Sequence, residues 1–248
     1  MTGFARGVVY NVASFAIMGV LGFAINALIA RYYGDTGLGI FSQVFAFFII
    51  ASQLAAGGFV FAAMRFCAEH TADRDKISGI VWSGLIFVGI QGSIVSLLIW
   101  LASEPIGRLW GSPEIGHGVA WIAPGLLFFA LSKCLLFSGN GLGLMGLFAT
   151  GQALRFVYLF GALLILIWND APASTLPAIF TFAEILLFLT MLLYMLAAKV
   201  ITLTGDLRHW AREHLAFGWR AALSGLFMDI NTKVDILMLG LFVSDAEV

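Results

Sequence analysis

The sequence predicts an all-α protein, a polytopic transmembrane helical bundle of about seven spanning helices, and three observations predict it. The chain is 61% hydrophobic and 11% charged, with a mean hydropathy of +0.99, where a soluble chain carries roughly 25% charged residues. Its apolar runs reach the roughly 20 residues a helix needs to cross a bilayer, and they lack the short alternating segments of a membrane β-barrel. The connections are short, the longest being 65–78 and 199–217, so no soluble catalytic domain is inserted. Helices are the form that satisfies every peptide group internally where water is absent.

Charge and Gly/Pro clusters bound the apolar runs at about 8–30, 40–64, 79–103, 118–139, 148–168, 177–198 and 218–243. The first run follows Arg6 without a small-residue cleavage pattern, so it reads as a retained helix rather than a signal peptide. Arg6, Arg65, Arg74, Lys76, Lys199, Arg208 and Arg212 fall on one side of the membrane, while Arg31 and Arg108 flank the other. Because cationic residues resist translocation, the first side and the N-terminus are expected in the cytoplasm. Trp110, Trp121 and Trp168 near outer ends, and Trp210 and Trp219 near an inner end, fit interfacial anchoring. The 199–217 stretch reads as an amphipathic helix lying on the membrane. Cys67 and Cys134 fall toward the cytoplasmic side, where a disulfide is not expected.

The seventh run carries the segment FMDINTKVDIL, residues 227–237, in which charge is embedded in grease. At about 100° per residue Lys233 falls about 40° from Asp229, so the two can pair along one face, whereas Asp235 and Asn231 lie on the far side. A charge at mid-membrane costs about 2.5–3.5 kcal/mol, so such groups border a wet cavity or face one another. Arg155 and Lys133 fall in the cytoplasmic halves of the fifth and fourth runs, within reach of a phosphate arriving from that leaflet or of the interface by snorkelling. Glu184 falls in the outer half of the sixth run, placed to relay a proton, pair with a cation or make an interhelical hydrogen bond. Asn26, Gln53 and Gln91 read as ties between helices.

Three patterns promise other chemistry. GLGLMG (141–146) spells a dinucleotide fingerprint without the preceding strand it needs. His70 and Asp75 have the spacing of glycerolipid acyltransferases, but a 14-residue loop (65–78) offers no fold for that substrate. HWAREH (209–214) has one residue too many for the inverted zinc motif and reads as a wet interfacial helix. No enzyme activity, metal, cofactor or nucleic-acid partner is expected. The bilayer is the partner that composition implies.

Shifted by 209 positions, DILMLGLFVSDAEV (235–248) overlies NALIARYYGDTGLG (26–39), as if the seventh run opened a second copy of the unit begun by the first. The stretch from Ala30 to Phe41 (ARYYGDTGLGIF), RFCAE at Arg65 to Glu69 and VDILMLGLFVSDAEV at the end resemble the opening helices of the two lobes in polysaccharide and oligosaccharide-lipid flippases, relatives of the multidrug and toxic compound extrusion transporters. That resemblance implies two lobes of about six helices around a cavity exposed alternately to each side, with 1–217 as the first lobe and 218–248 as the opening helix of a second. It implies a lipid-linked, undecaprenyl-type oligosaccharide as substrate, polysaccharide-assembly proteins as further partners, and the second lobe or a second copy to complete the cavity. On this reading Arg155, Lys133, Lys233 and Asn231 contact substrate, and Asp229, Asp235 and Glu184 couple ions or protons. The alternatives are a cation-coupled multidrug exporter of the same superfamily and a membrane acyltransferase using His70 and Asp75.

Overall fold

The computed structural model describes the backbone of residues 3–230 and the side chains of residues 7–218. Every element among the described residues is a helix. The first, α1 (Gly3–Ala56), has 54 residues, which at 1.5 Å each is far longer than the ~30 Å of hydrocarbon it must traverse. It is therefore two crossings joined without a loop. The reversal is at Gly34, whose φ of 72° and ψ of −177° suit a residue without a Cβ. The expected runs 8–30 and 40–64 are thus limbs of one broken helix.

A second break follows at Gly57, where φ is 55°, and α2 (Phe59–Glu69) resumes the same crossing. Gly57 donates its N–H to Gln53 O at 2.9 Å. The Leu54 carbonyl next to it takes a hydrogen bond from Gln91 Nε2 at 2.6 Å. A backbone break inside a bilayer survives only when its freed polar groups find partners, and Gln91 supplies one.

The other crossings are α3 (Arg74–Leu101), α5 (Pro113–Gly141), α6 (Met145–Trp168) and α7 (Ala178–Ala197), with a short α4 (Ser103–Leu109) between α3 and α5 and a 3-10 turn (Ala173–Thr175) before α7. Asp73 caps α3 by accepting the Lys76 N–H at 3.1 Å, a bond that holds the Asp73 carboxyl below the usual range. Pro113 opens α5, where its missing N–H costs nothing.

α5 is the central post, packing against α1, α2, α3, α4, α6 and α7. Val119, Ile122, Leu126, Ala130 and Cys134 run buried along it. Side-chain contacts fix the direction of both α1 limbs. Ser14 Oγ donates to Ala149 O and Gly22 faces Phe156, so the first limb follows α6. Val44 faces Gly118 and Phe48 meets Phe129, so the second limb follows α5. Phe15, Phe23, Ile94, Leu97 and Trp168 point outward from the bundle.

Two expectations change here. The stretch 199–217 is not a helix lying apart on the membrane: helix α8 starts at Leu207 and runs unbroken to Ile230. Trp210 and His214 on it are 5% and 0% exposed. Gly79 makes this possible, since a Cβ there would meet the Trp210 ring at 2.7 Å. Trp82 Nε1 donates to Thr202 O at 2.7 Å, and the Ser78 hydroxyl accepts the Thr202 N–H at 2.9 Å, tying the preceding turn to α3. Trp210 is therefore a packing residue; Trp219 lies outside the described side chains. Asn26, for its part, is exposed and donates to Gly22 O in its own helix at 2.9 Å, with no tie to another helix among the described residues.

Candidate functional site

Lys133 sits on the α5 face that meets the second limb of α1. Its Nζ donates to Gln53 Oε1 at 2.5 Å and lies 6.0, 5.8 and 5.5 Å from the ring centroids of Phe61, Phe129 and Phe137. A cation this close to several aromatic faces gains about 0.5–2 kcal/mol from each well-placed ring. The local sequence explains the enclosure: Phe129 and Phe137 stand four residues before and after Lys133 on α5, hence on the same face.

Arg155 on α6 reaches across to Glu184 on α7. Its Nε is 2.5 Å from Oε1 and its Nη2 is 3.4 Å from Oε2, a two-pronged contact, while Nη1 donates to Gln152 Oε1 at 2.6 Å. The two side chains are 15% and 2% exposed. Ser132 Oγ donates to the Glu184 carbonyl at 3.4 Å, joining this pair to the α5 post. The Arg155 guanidinium also stands 4.8 Å from the Phe129 centroid. One ring thus lies beside both cations.

Arg155 and Glu184 were expected in opposite halves of the membrane, and their contact places them at one level. The cause is where the last crossing begins: its span opens at Ala173 rather than near 177, which sets Glu184 11 residues (184 − 173) from that end, close to the 13 (168 − 155) that separate Arg155 from the end of α6 at Trp168. Gln53, read as a tie between helices, does bridge α1 to α5, but through Lys133. Gln91 ties α3 to α1 as expected. Of the charged segment, Asp229 belongs to α8 but its side chain is not described, and Asn231, Lys233 and Asp235 lie outside the described residues.

The other patterns resolve into packing. GLGLMG closes the turn between α5 and α6, and a Cβ on Gly141 would meet Met64 O at 2.1 Å. His70 Nδ1 faces Phe66 O at 3.0 Å, whereas Asp75 accepts from Thr204 Oγ1 at 3.4 Å, so each is engaged elsewhere. Cys67 and Cys134 are free thiols. Among the described residues no group of three or more His, Cys, Asp or Glu is arranged to hold a metal. A cleft of about 610 Å³ lies between α1, α6 and α7, with Tyr10, Thr150, Thr190 and Tyr194 among its lining residues.

Comparison with solved structures shows the fold. The chain superimposes on a MATE transporter in complex with MaD3S at a TM-score of 0.74, with 14% identity, over 92% of this chain and 54% of that one. It superimposes on a MOP superfamily transporter from Pyrococcus furiosus at 0.70, with 15% identity, over 92% and 53%. The fold is that of one half of such a transporter, and the chain spans about half their length. The chain belongs to the polysaccharide biosynthesis protein family, which matches residues 4–248. Over 105 residues it is 27% identical to stage V sporulation protein B of Bacillus subtilis (strain 168), a stretch that covers 42% of this chain and 20% of that protein.

Proposed function

We propose that the protein works as a flippase, moving a lipid-linked oligosaccharide across the inner membrane by alternating access, with its N-terminus in the cytoplasm and no enzymatic step. Such a substrate presents a polar, anionic headgroup that must be sheltered while its tail remains in lipid. The site needs cations that are inside the bundle and ready to exchange partners. The observation that carries the reading is the Arg155 contact with Glu184: a planar guanidinium already held in bidentate fashion by one oxyanion is shaped to take another. A headgroup phosphate replaces the Glu184 carboxylate on Arg155, and Glu184 takes up a proton or a cation as it is released. Lys133 adds a second positive charge at the next helix interface.

Residues 1–217 then supply one lobe and 218–248 the entry to a second, which a further stretch of chain or a second copy completes. Lys233 and Asn231 extend the substrate surface there, with Asp229 and Asp235 as further coupling groups. Polysaccharide-assembly proteins are the natural partners of such an activity. Family membership supports this reading. A drug exporter of the same superfamily would keep a carboxylate available for organic cations, and the engagement of Glu184 by Arg155 disfavours that use.

The test is a deletion strain. Its lipid-linked glycan should accumulate on the cytoplasmic leaflet and be cleared by the wild-type gene but not by Arg155→Ala or Lys133→Ala. Normal glycan export in the deletion strain, with new sensitivity to cationic drugs, would favour the exporter.

A further inference from the structure

Phe129 is 8% exposed and carries no polar atom, yet it is the residue on which the two cations of the site converge. Lys133 Nζ lies 5.8 Å and Arg155 Cζ 4.8 Å from its ring centroid. Its orientation is fixed from behind. Phe48 meets it edge to face at 5.7 Å and 85°, and Phe48 is in turn stacked on Phe180 at 5.2 Å. Phe180 also stacks with Phe41 and Phe45, at 5.2 and 5.3 Å. This aromatic column joins the second limb of α1 to α7 and leaves Phe129 little freedom to turn.

The position matters because Lys133 and Arg155 stand on different helices, α5 and α6, and each has its own polar partner, Gln53 for one and Glu184 for the other. Those partners stand on different helices again, Gln53 on α1 and Glu184 on α7. A ring face is negative and non-ionic, so it attracts both cations without competing with a phosphate for their N–H donors. It therefore keeps them at one depth when Glu184 lets go.

We propose that Phe129 is the positioning residue of the anion site, acting through the electron density of its ring to hold Lys133 and Arg155 for joint use on one phosphate-bearing headgroup. This rests on the flippase reading, in which those two cations meet the substrate.

The experiment separates ring charge from ring shape. Phe129 is replaced in turn by mono-, di- and trifluorophenylalanine, which keep its size while draining the ring face, and the full chain in lipid nanodiscs is titrated with farnesyl diphosphate as a soluble probe. Binding should weaken stepwise, reaching about 3- to 30-fold with the trifluoro residue, while the unfolding midpoint stays at the wild-type value. Affinity independent of fluorination overturns the assignment, because a merely space-filling ring would give that result. Lys133→Gln and the double variant Arg155→Gln with Glu184→Gln are titrated alongside. Unchanged binding in both overturns the flippase reading of the site and the Phe129 role with it. Weakened binding in them beside a flat fluorine series overturns the Phe129 role alone.

Discussion

The guanidinium of Arg155 and the carboxylate of Glu184 meet between α6 and α7 through two contacts, of 2.5 and 3.4 Å, with both side chains withdrawn into the bundle. Each charge is tolerable there because the other is present. Removing one leaves an uncompensated ion whose desolvation nothing repays, typically at 3–5 kcal/mol.

Glu184→Leu and Arg155→Leu are each expected to destabilise the protein by about 3–5 kcal/mol, and the double substitution by clearly less than the sum. Unfolding in denaturing detergent, run as a double-mutant cycle, reads this directly. Additive losses would mean that the two groups do not stabilise one another.

Gly57 is the point at which the second crossing breaks. An alanine there meets two penalties, a φ of 55° and a Cβ placed 2.4 Å from Gln91 Nε2. Gly57→Ala should cost about 1–3 kcal/mol. Combining it with Gln91→Ala should recover the steric part only, since the backbone conformation remains and the Leu54 carbonyl loses its donor. Comparison of the three unfolding midpoints checks both parts.

His214 supplies a pH test on the stem of α8, ahead of the apolar run that opens at 218. Its Nε2 donates to Ile80 O at 3.0 Å, while its Nδ1 is buried without a hydrogen-bond partner among the described residues. Burial lowers its pKa from 6.5 to about 4. Between those values the unfolded chain binds a proton that the folded chain refuses, so stability rises with pH across that window. The contribution of His214 is complete above pH 6.5, falls as acid is added, and amounts to a loss on the order of 3 kcal/mol once pH is below about 4. His214→Gln should flatten that part of the stability profile measured between neutral and mildly acidic buffer.

The fold class was legible because bilayer thickness imposes a run length on any spanning helix, and six crossings before α8 fell where apolar runs had placed them. Chain breaks were harder to read. Gly34 reverses α1 in a single residue, whereas a pattern of apolar runs marks a turn only by a gap in hydropathy. The burial of Trp210 and His214 was hidden for a related reason. HWAREH looks amphipathic in isolation, and only the bare surface of α3 at Gly79 shows why its aromatic side turns inward.

Arg155, Glu184 and Lys133 were visible as ions in grease, but their partners were not. Pairing between α6 and α7 depends on helix depth, and a few residues of error at a helix end shift a side chain by a turn. The Phe129, Lys133 and Phe137 spacing on α5 was the signal available for the aromatic enclosure.

The most direct test of the exchange of Glu184 for a phosphate is translocation by the full-length protein in proteoliposomes, scored as the protected fraction of a fluorescent lipid-linked oligosaccharide. Replacing Arg155 and Glu184 together by glutamine, which removes the ion pair without leaving a lone buried charge, should reduce the translocation rate at least tenfold, about 1.4 kcal/mol of lost interaction, in a protein that remains folded. Wild-type rates in that double variant would contradict the account.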